Sequence, residues 1–396
     1  MEGPPFPGLA RGLWVMGLGL AAIAMANNMI IPLLGPVGRT VGLSDQHIGL
    51  VHSGAALAAI PAAPWWGRRS DLVGRRPVFV ASLLGFAAST FALAWVLQYA
   101  LWEPLSAGTV FALLLMSRLA YGALGSGALP AAAGYLADVS RPEDRLRAMT
   151  MPSRAFSLGG LFGLCLVWPA AALFGYAGPV FLVAGFGAMV AVASLFLIGT
   201  APHRREGRGL PDASRQRLPA PYLLLAVNGL AFTLMSMIQT TVPFFVQDAL
   251  ALSTSEAISL ATGLALVLTL ATLAALRAAA ASKLGAPSLA ALGLGIAAAG
   301  AAFLHLSSGL AVLGLAHVLL GFGLGLFVPT TQSALSLRTS SATQARAAGR
   351  LSAAATSGYV LGPFAGAFLY ADHGARLYLF AMAALAGLAV LLWIRR

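Results

Sequence analysis

The sequence GRRSDLVGRRP, residues 67–77, is a short basic segment between two long apolar runs. Five of its eleven residues are charged, whereas only 9% of the whole chain is charged. The flanking runs, residues 47–66 and 78–99, each have the roughly 20 residues that a helix needs to cross a bilayer. We therefore predict a loop between two membrane helices, on the cytoplasmic side, where basic residues are enriched.

The composition of the whole chain is that of a membrane protein. It has 396 residues, of which 59% are hydrophobic, whereas soluble domains carry about 25% charged residues. Long runs of Leu, Ala, Gly and Val without two-residue alternation favour helices over a barrel. The net charge of +12 comes from short basic clusters between apolar runs, which argues against nucleic-acid binding. The single cysteine, Cys165, excludes an intrachain disulfide and a CxxC metal site.

Twelve membrane spans are predicted along the chain. The spans are 11–34, 47–66, 78–99, 106–136, 147–171 and 179–200 in the first half, and 221–246, 255–276, 288–306, 310–336, 349–371 and 376–394 in the second. The fold class is thus an all-α polytopic membrane protein. We predict an N-terminal six-helix bundle at 1–200, a cytoplasmic linker at 201–220 and a C-terminal six-helix bundle at 221–396.

The basic residues also set the orientation. If the N-terminus is cytoplasmic, only Arg39 and Arg376 lie in outside loops and only Arg118 lies well inside a span. Because Lys and Arg are enriched in cytoplasmic loops, both termini are predicted to be cytoplasmic. The N-terminal run has no basic segment before it and no cleavage site after it, so we expect a retained helix rather than a signal peptide.

The two halves resemble each other at an offset of 199 residues. The matching motifs are Arg118-x-x-x-Gly122 with His317-x-x-x-Gly321, and Gly159-x-x-x-Gly163 with Gly358-x-x-x-Gly362. Repeated six-helix halves are typical of transporters that bind their substrate between the halves, near the middle of the membrane. We therefore predict two pseudo-symmetric bundles.

The opening segment resembles the loop pattern G-x-x-x-D-[RK]-x-G-[RK]-[RK] of the major facilitator superfamily. The residues that fit it are Gly67, Asp71, Gly74, Arg75 and Arg76. Leu72 departs from it, since a basic residue is usual there. Within the superfamily the chain is similar to the twelve-helix drug:proton antiporters, which include multidrug and tetracycline exporters. This resemblance implies a conformational gate in which Asp71 pairs with Arg75 and touches the start of span eleven, with Asp138 as a further partner.

Two further motifs carry the resemblance. Span four contains Leu114-x-x-x-Arg118-x-x-Tyr121-Gly122, with tyrosine where the family usually has glutamine. In span five, Trp168 replaces the glycine that the antiporters have before a proline. The antiporter-type residues that remain are Gly159, Gly163 and Pro169 in span five and Gly362 and Pro363 in span eleven.

Arg118 and His317 are the candidates for coupling. A charge at the centre of a span costs at least about 2.5 kcal/mol on insertion scales, so Arg118 marks a functional site unless it bonds backbone carbonyls as a strut. His317 titrates near neutral pH if unperturbed, although a lone membrane histidine is more often a packed group. None of the 12 acidic residues lies clearly at mid-membrane. A proton-coupled mechanism would therefore use a histidine or a carboxylate near a span end: Asp71, Asp138 or Asp248.

Uncharged hydrogen-bonding residues are the candidates for substrate contact, on spans that line the central cavity in this family. They are Asn27 and Asn28 in span one, Gln239 in span seven and Gln332 in span ten. Phe232 and Met235 in span seven would add an adaptable apolar wall, unless they face lipid or neighbouring helices. With Arg118 as its only fixed charge, such a cavity favours neutral, amphipathic or anionic substrates over cationic ones.

The predicted function is export of small amphipathic compounds in exchange for protons, by a monomer in a bacterial inner or plasma membrane. One alternative is export of a specific metabolite, such as a siderophore or a sugar-like compound. Another is a facilitator without proton coupling. An enzyme is not predicted, because no cluster of His, Asp, Glu, Ser or Cys lies at one depth and there is no ATP-binding motif of the form G-x-x-x-x-G-K-[ST]. We predict no metal, no cofactor and no nucleic-acid partner.

Overall fold

The computed structural model describes residues 7–140, 150–199, 222–307, 309–337 and 341–394. The chain divides into two compact units, Met1–Glu206 and Gly207–Arg396. The predicted linker at 201–220 lies outside the described residues.

The described residues form thirteen α-helices with short connections. Those of the N-terminal unit are α1 (Pro7–Thr40), α2 (Asp45–Val73), α3 (Arg75–Trp102), α4 (Ala107–Gly125), α5 (Ala128–Val139), α6 (Met151–Phe174) and α7 (Gly178–Leu197). Those of the C-terminal unit are α8 (Tyr222–Ala249), α9 (Thr254–Ala281), α10 (Ala286–His305), α11 (Leu310–Leu337), α12 (Ser341–His373) and α13 (Leu377–Ile394).

Eleven stretches of the described residues are long and apolar enough to cross a membrane. The last, Ala347–Ile394, has 48 residues and contains both α12 and α13, so it has the length of two crossings. Another, Ala107–Val139, contains both α4 and α5. The helices therefore correspond to the twelve predicted spans, with α4 and α5 together forming span four.

Span four is interrupted, whereas the sequence predicts one continuous helix. In an uninterrupted helix the Ala123 carbonyl would accept a hydrogen bond from the amide of residue 127. Here Trp66 Nε1 on α2 donates to that carbonyl at 2.7 Å. A Cβ on Gly127 would lie 2.7 Å from the Trp66 ring, so the turn needs a residue without a side chain. The indole of Trp66 thus holds the break between α4 and α5.

The same helix pairs pack in both units. In the N-terminal unit they are α1–α6, α2–α4, α3–α4 and α3–α7, and in the C-terminal unit they are α8–α12, α9–α11, α10–α11 and α10–α13. Each pair in the second set occupies the same place in its six-span half as its counterpart in the first. The helix packing is therefore repeated, as the sequence motifs predict.

Glycines in α6 and α12 make close helix contacts in both units. A Cβ on Gly163 would lie 2.7 Å from the Met25 Cα on α1, and one on Gly358 would lie 2.7 Å from the Thr233 amide nitrogen on α8. Small residues let membrane helices approach this closely. The antiporter-type glycines therefore pack α6 on α1 and α12 on α8, and Pro169 and Pro363 lie inside the same two helices.

Candidate functional site

The turn between α2 and α3 requires glycine at position 74. Gly74 has φ 105° and ψ 157°, a backbone conformation that residues with a side chain rarely adopt. Its amide donates to the Ser70 carbonyl at 3.1 Å, and α3 begins at the next residue. This turn brings Arg75 back over the end of α2.

Arg75 joins three helices of the N-terminal unit. Its Nη1 donates to Asp71 Oδ1 on α2, and its Nε donates to Asp138 Oδ2 on α5 at 3.0 Å. The side chain of Arg75 is only 20% exposed, while those of Asp71 and Asp138 are 64% and 41% exposed. We call these three residues the Arg75 cluster. Its ion pairs are partly solvated, so each is weak and can be broken at low cost.

Gly134 on α5 makes room for the Arg75 guanidinium, and the sequence analysis missed it. A Cβ at this position would lie 2.6 Å from the Arg75 Cζ. By contrast, a Cβ on Gly67 would meet only Pro130, at 4.0 Å, so no close helix contact depends on this glycine. Arg76 donates from Nη2 to the Leu195 carbonyl, which connects α3 to the end of α7.

Arg118 lies inside the N-terminal unit, with 7% of its surface exposed. Its Cζ is 4.6 Å from the centroid of the Tyr121 ring, one turn further along α4. No hydrogen bond leads from its guanidinium to an acceptor in the described part of the chain, and its Nε is fully buried. His52 on α2, also buried, is close enough to interact with its charge. The strut of backbone carbonyls that the sequence left open is not found.

A small cavity lies beside Arg118, between α1, α3, α4 and α7. Its volume is about 10 Å³, enough for one water molecule. Its polar lining is made by Ser89 and Thr90 on α3 and by Ser117, Arg118 and Tyr121 on α4. The hydroxyls of Thr90 and Tyr121 are buried without a hydrogen-bond partner in the described residues. We call this space the Arg118 cavity.

His317 does not occupy a comparable position, although it is the repeat mate of Arg118. It is 3% exposed, and its Nδ1 lies 2.7 Å from the Leu313 carbonyl of its own helix, α11. It lines neither of the cavities described here. The structure therefore places it as a packed residue bonded to its own helix.

A second cavity of about 630 Å³ lies in the C-terminal unit, between α8, α11 and α12. Its polar lining is formed by Asn228 on α8, Thr331, Gln332 and Ser333 on α11, and Ser352 on α12. The remaining lining is apolar, from Phe232, Val328, Pro329, Leu335, Ala348, Leu351 and Ala355. None of its described lining residues carries a titratable side chain. We call it the Gln332 cavity, and its volume lies in the range of small-molecule sites.

The structure brings together only some of the predicted substrate residues. Phe232 and Gln332 line the Gln332 cavity, whereas Met235 and Gln239 do not. Asn228, which the sequence analysis missed, donates from Nδ2 to the Leu351 carbonyl at 3.1 Å and so fixes α8 to α12.

The two asparagines of α1 lie in the N-terminal unit and line neither cavity. Asn28 Nδ2 donates to the Ala24 carbonyl at 3.0 Å, and a Cβ on Gly160 of α6 would meet that nitrogen at 2.8 Å. Asn28 therefore belongs to the α1–α6 contact. The Asn27 side chain lies beside the Tyr121 hydroxyl, at the edge of the Arg118 cavity.

Comparison with known families settles what kind of protein carries these cavities. The family model of the Major Facilitator Superfamily matches residues 16–276 and 224–396. The chain belongs to the major facilitator superfamily. Members of this superfamily are membrane transporters, so the chain belongs to a transporter family and not to an enzyme family.

Individual relatives within the superfamily are distant and match only in part. Multidrug resistance protein 2 of Bacillus subtilis is 24% identical over 214 residues, covering 50% of this chain and 49% of the relative. The class B tetracycline resistance protein of Escherichia coli is 31% identical over 179 residues, covering 44% and 37%. Quinolone resistance protein NorA of Staphylococcus aureus is 23% identical over 153 residues, covering 39% and 36%. The chain thus spans half or less of the length of each of these relatives.

Solved structures of the superfamily match the whole chain. A bacterial homologue of the human lysosomal transporter Spinster has a TM-score of 0.77 at 16% identity, covering 98% of this chain and 97% of that one. A D-xylose–proton symporter has a TM-score of 0.75 at 16% identity, covering 97% of each chain. These likenesses confirm the predicted all-α polytopic membrane fold.

Proposed function

We propose that the protein is a secondary transporter that exports small amphipathic, drug-like compounds by alternating access. The Gln332 cavity carries this proposal. It is large enough for a drug-sized molecule, and the described residues of its lining combine apolar surface with amides and hydroxyls and carry no charge. A cavity of this kind favours uncharged or amphipathic ligands, because a buried ion there would have no counter-charge. Phe232 supplies an aromatic surface and Gln332 a hydrogen-bonding group.

The partial similarity to resistance proteins supports export rather than uptake. The three relatives described above are named for resistance to multiple drugs, tetracycline and quinolones. We extend that direction of transport to this chain as part of the proposal, with the bacterial inner or plasma membrane as its location and a monomer as the working unit.

The Arg75 cluster is the proposed gate. Arg75 contacts α2 and α5 through two carboxylates while its backbone begins α3, so a shift of either helix breaks an ion pair. The ion pairs of Arg75 can thus be intact in one conformation and broken in the other, which is how a gate distinguishes the two states of a transporter.

Protons are the proposed coupling ion, and the gate carboxylates are the proposed proton acceptors. Among the described residues, no carboxylate lines the Arg118 cavity or the Gln332 cavity. Protonating Asp71 or Asp138 would remove its ion pair with Arg75 and loosen α2 or α5 from α3. Proton uptake would thereby favour movement of these helices.

Because no described residue brings a carboxylate to either cavity, a second candidate is a facilitator without proton coupling. Everted membrane vesicles that contain the protein distinguish the two. With a neutral amphipathic dye as substrate, we expect accumulation in vesicles with an acidic lumen and its loss when an ionophore dissipates the pH gradient. Equal dye levels with and without the gradient would establish the facilitator. No protein-dependent dye movement in either condition would refute the proposed transport of such compounds.

A further inference from the structure

Arg118 is a buried cation, and the described residues give it no counter-charge. Arginine stays protonated in proteins, so its charge cannot be relieved by losing a proton. With 7% of the residue exposed, the guanidinium also has little access to solvent. Burying an ion without a partner costs free energy. For the same reason, removing one partner of a buried ion pair strongly destabilises a protein. Arg118 therefore calls for a partner that the described residues do not supply at this place.

The carboxylates of the described residues are engaged elsewhere or lie at helix ends. The engaged ones are Asp45 with Arg39, Asp71 and Asp138 with Arg75, and Asp248 with Tyr370. Glu103, Glu256 and Asp372 lie at or near the ends of α3, α9 and α12. Within the described part of the chain, none of these groups contacts Arg118.

Three unpaired polar atoms lie on the Arg118 cavity. They are the Nε of Arg118 and the hydroxyl oxygens of Thr90 and Tyr121, which are buried and make no hydrogen bond of ordinary length within the described residues. The Asn27 side chain lies close to the Tyr121 hydroxyl, so this hydroxyl is the least isolated of the three. A water molecule in a space of about 10 Å³ would satisfy the hydroxyls but would leave the guanidinium charge unbalanced. An anionic oxygen of the same size would satisfy both.

We propose that the Arg118 cavity is a carboxylate subsite. One carboxylate oxygen would accept hydrogen bonds from the Arg118 guanidinium and from the hydroxyls of Thr90 and Tyr121. The carboxylate comes either from the transported compound, in which case the subsite rests on the proposed function, or from a small free carboxylate. The neighbouring Ser89 and Ser117 are not ligands, because their hydroxyls donate to carbonyls of their own helices at 2.7 Å.

Binding is tested on the purified full-length protein by thermal unfolding, with formate replacing sulfate at constant ionic strength. We expect formate to raise the unfolding temperature with a saturable dose dependence, and formamide, its neutral isostere, to leave the temperature unchanged. Binding of the native chain alone decides the proposal, so it does not depend on whether any variant folds. Equal unfolding temperatures in formate, formamide and sulfate would overturn the carboxylate subsite.

Matched variants locate the bound formate. Arg118→Met should abolish the formate shift and, because it removes an unpaired buried charge, should unfold no lower than the native protein in the absence of formate. Thr90→Val should weaken the apparent formate affinity by about tenfold, as expected for a lost hydrogen bond to a charged group. Its neighbour Ser89→Ala should leave the affinity unchanged. A formate shift that survives Arg118→Met would place binding elsewhere and refute the assignment.

Transport assays distinguish the two possible sources of the carboxylate. Two test compounds that differ only in a carboxylate or a primary amide are compared in everted vesicles. If the substrate carries the carboxylate, the acid is preferred, formate competes with it, and Arg118→Met removes the preference. If the carboxylate is free, formate stimulates transport of the amide. Formate binding without transport of either compound would leave the subsite standing and refute the proposed function instead.

Discussion

The two units repeat the same helix pairs but differ in what lies inside them. The N-terminal unit has a water-sized cavity beside a buried arginine, whereas the C-terminal unit has a cavity of about 630 Å³ whose described lining residues are uncharged. At the position of Arg118 the C-terminal unit has His317, which bonds its own helix. The two units therefore share the same helix contacts but differ in their interiors. The buried Arg118 lies in the N-terminal unit, and the larger cavity lies in the C-terminal unit.

The loops that follow the second helix of each half show the same division. In the N-terminal unit, Gly74 adopts a positive φ and the Arg75 cluster surrounds it. In the C-terminal unit, Gly285 has φ −63°, which any residue can adopt, and the nearest charged residue of the loop is Lys283 without a carboxylate beside it in sequence. The proposed gate is thus present in one half only.

The largest effect is expected from removing the charge of the Arg75 cluster. Arg75→Gln breaks both ion pairs at once, and we expect efflux to fall about tenfold or more while the protein still inserts into the membrane. Efflux is measured with the amphipathic dye, and insertion by size-exclusion chromatography of the solubilised protein. Lys283→Gln, in the corresponding loop of the other half, is the control and should change efflux less than about twofold. Similar losses in both variants would show that the two loops act alike and would remove the asymmetry.

A smaller effect is expected in the Gln332 cavity. Gln332→Ala removes a hydrogen-bonding group from the lining, so the KM for a neutral amphipathic dye should rise about threefold to tenfold with little change in maximal rate. Gln239→Ala is the control, because Gln239 is a glutamine on α8 that lines neither cavity. An equal rise in KM for both variants would mean that the Gln332 cavity is not the binding surface.

The smallest effect on transport, and a measurable one on stability, is expected from the repeated glycines. Gly159→Ala and its repeat mate Gly358→Ala each place a methyl group against the backbone of a neighbouring helix. The methyl group meets the Ala21 carbonyl oxygen on α1 in the first variant and lies 2.7 Å from the Thr233 amide nitrogen on α8 in the second. Such overpacking typically costs about 1–3 kcal/mol. Both should lower the unfolding temperature by several degrees. Gly185→Ala serves as the control, because a Cβ there meets nothing within 4 Å. A drop in only one half would show that the packing repeat is not energetically equivalent.

The parts of the candidate site that the sequence predicted are those set by local spacing. The resemblance to the superfamily loop motif implied the pairing of Asp71 with Arg75. The structure shows why a local motif can locate this pair, since the two residues are four apart and Gly74 adopts a positive φ between them. The placement of Gly134 against Arg75 depends on how α5 packs on α3, which no local pattern encodes. A glycine at position 134 does not by itself indicate a functional site, because the chain has 45 glycines.

The same limit applies to the interior residues. Hydropathy identified Arg118 as a buried charge. A cation within an apolar run is rare, and it stands out in the sequence however the helices pack. It could not show that Phe232 lines a cavity while Met235, less than one turn further along α8, does not. That distinction depends on which side of α8 faces α11 and α12. The break in span four was missed for a similar reason, since the residue that holds it, Trp66, comes from another helix.

The break between α4 and α5 has a consequence for how such a protein is modified. Arg118 lies on α4 and Asp138 on α5, with the turn at Ser126 and Gly127 between them. In a continuous helix, a tilt at one of these residues would also move the other. Two short helices joined by a turn can tilt separately. Substitutions that alter ligand preference at Arg118 are therefore expected to leave the motion at Asp138 intact. Within one membrane span, substrate selectivity can then be changed at Arg118 without changing the transport rate that depends on Asp138.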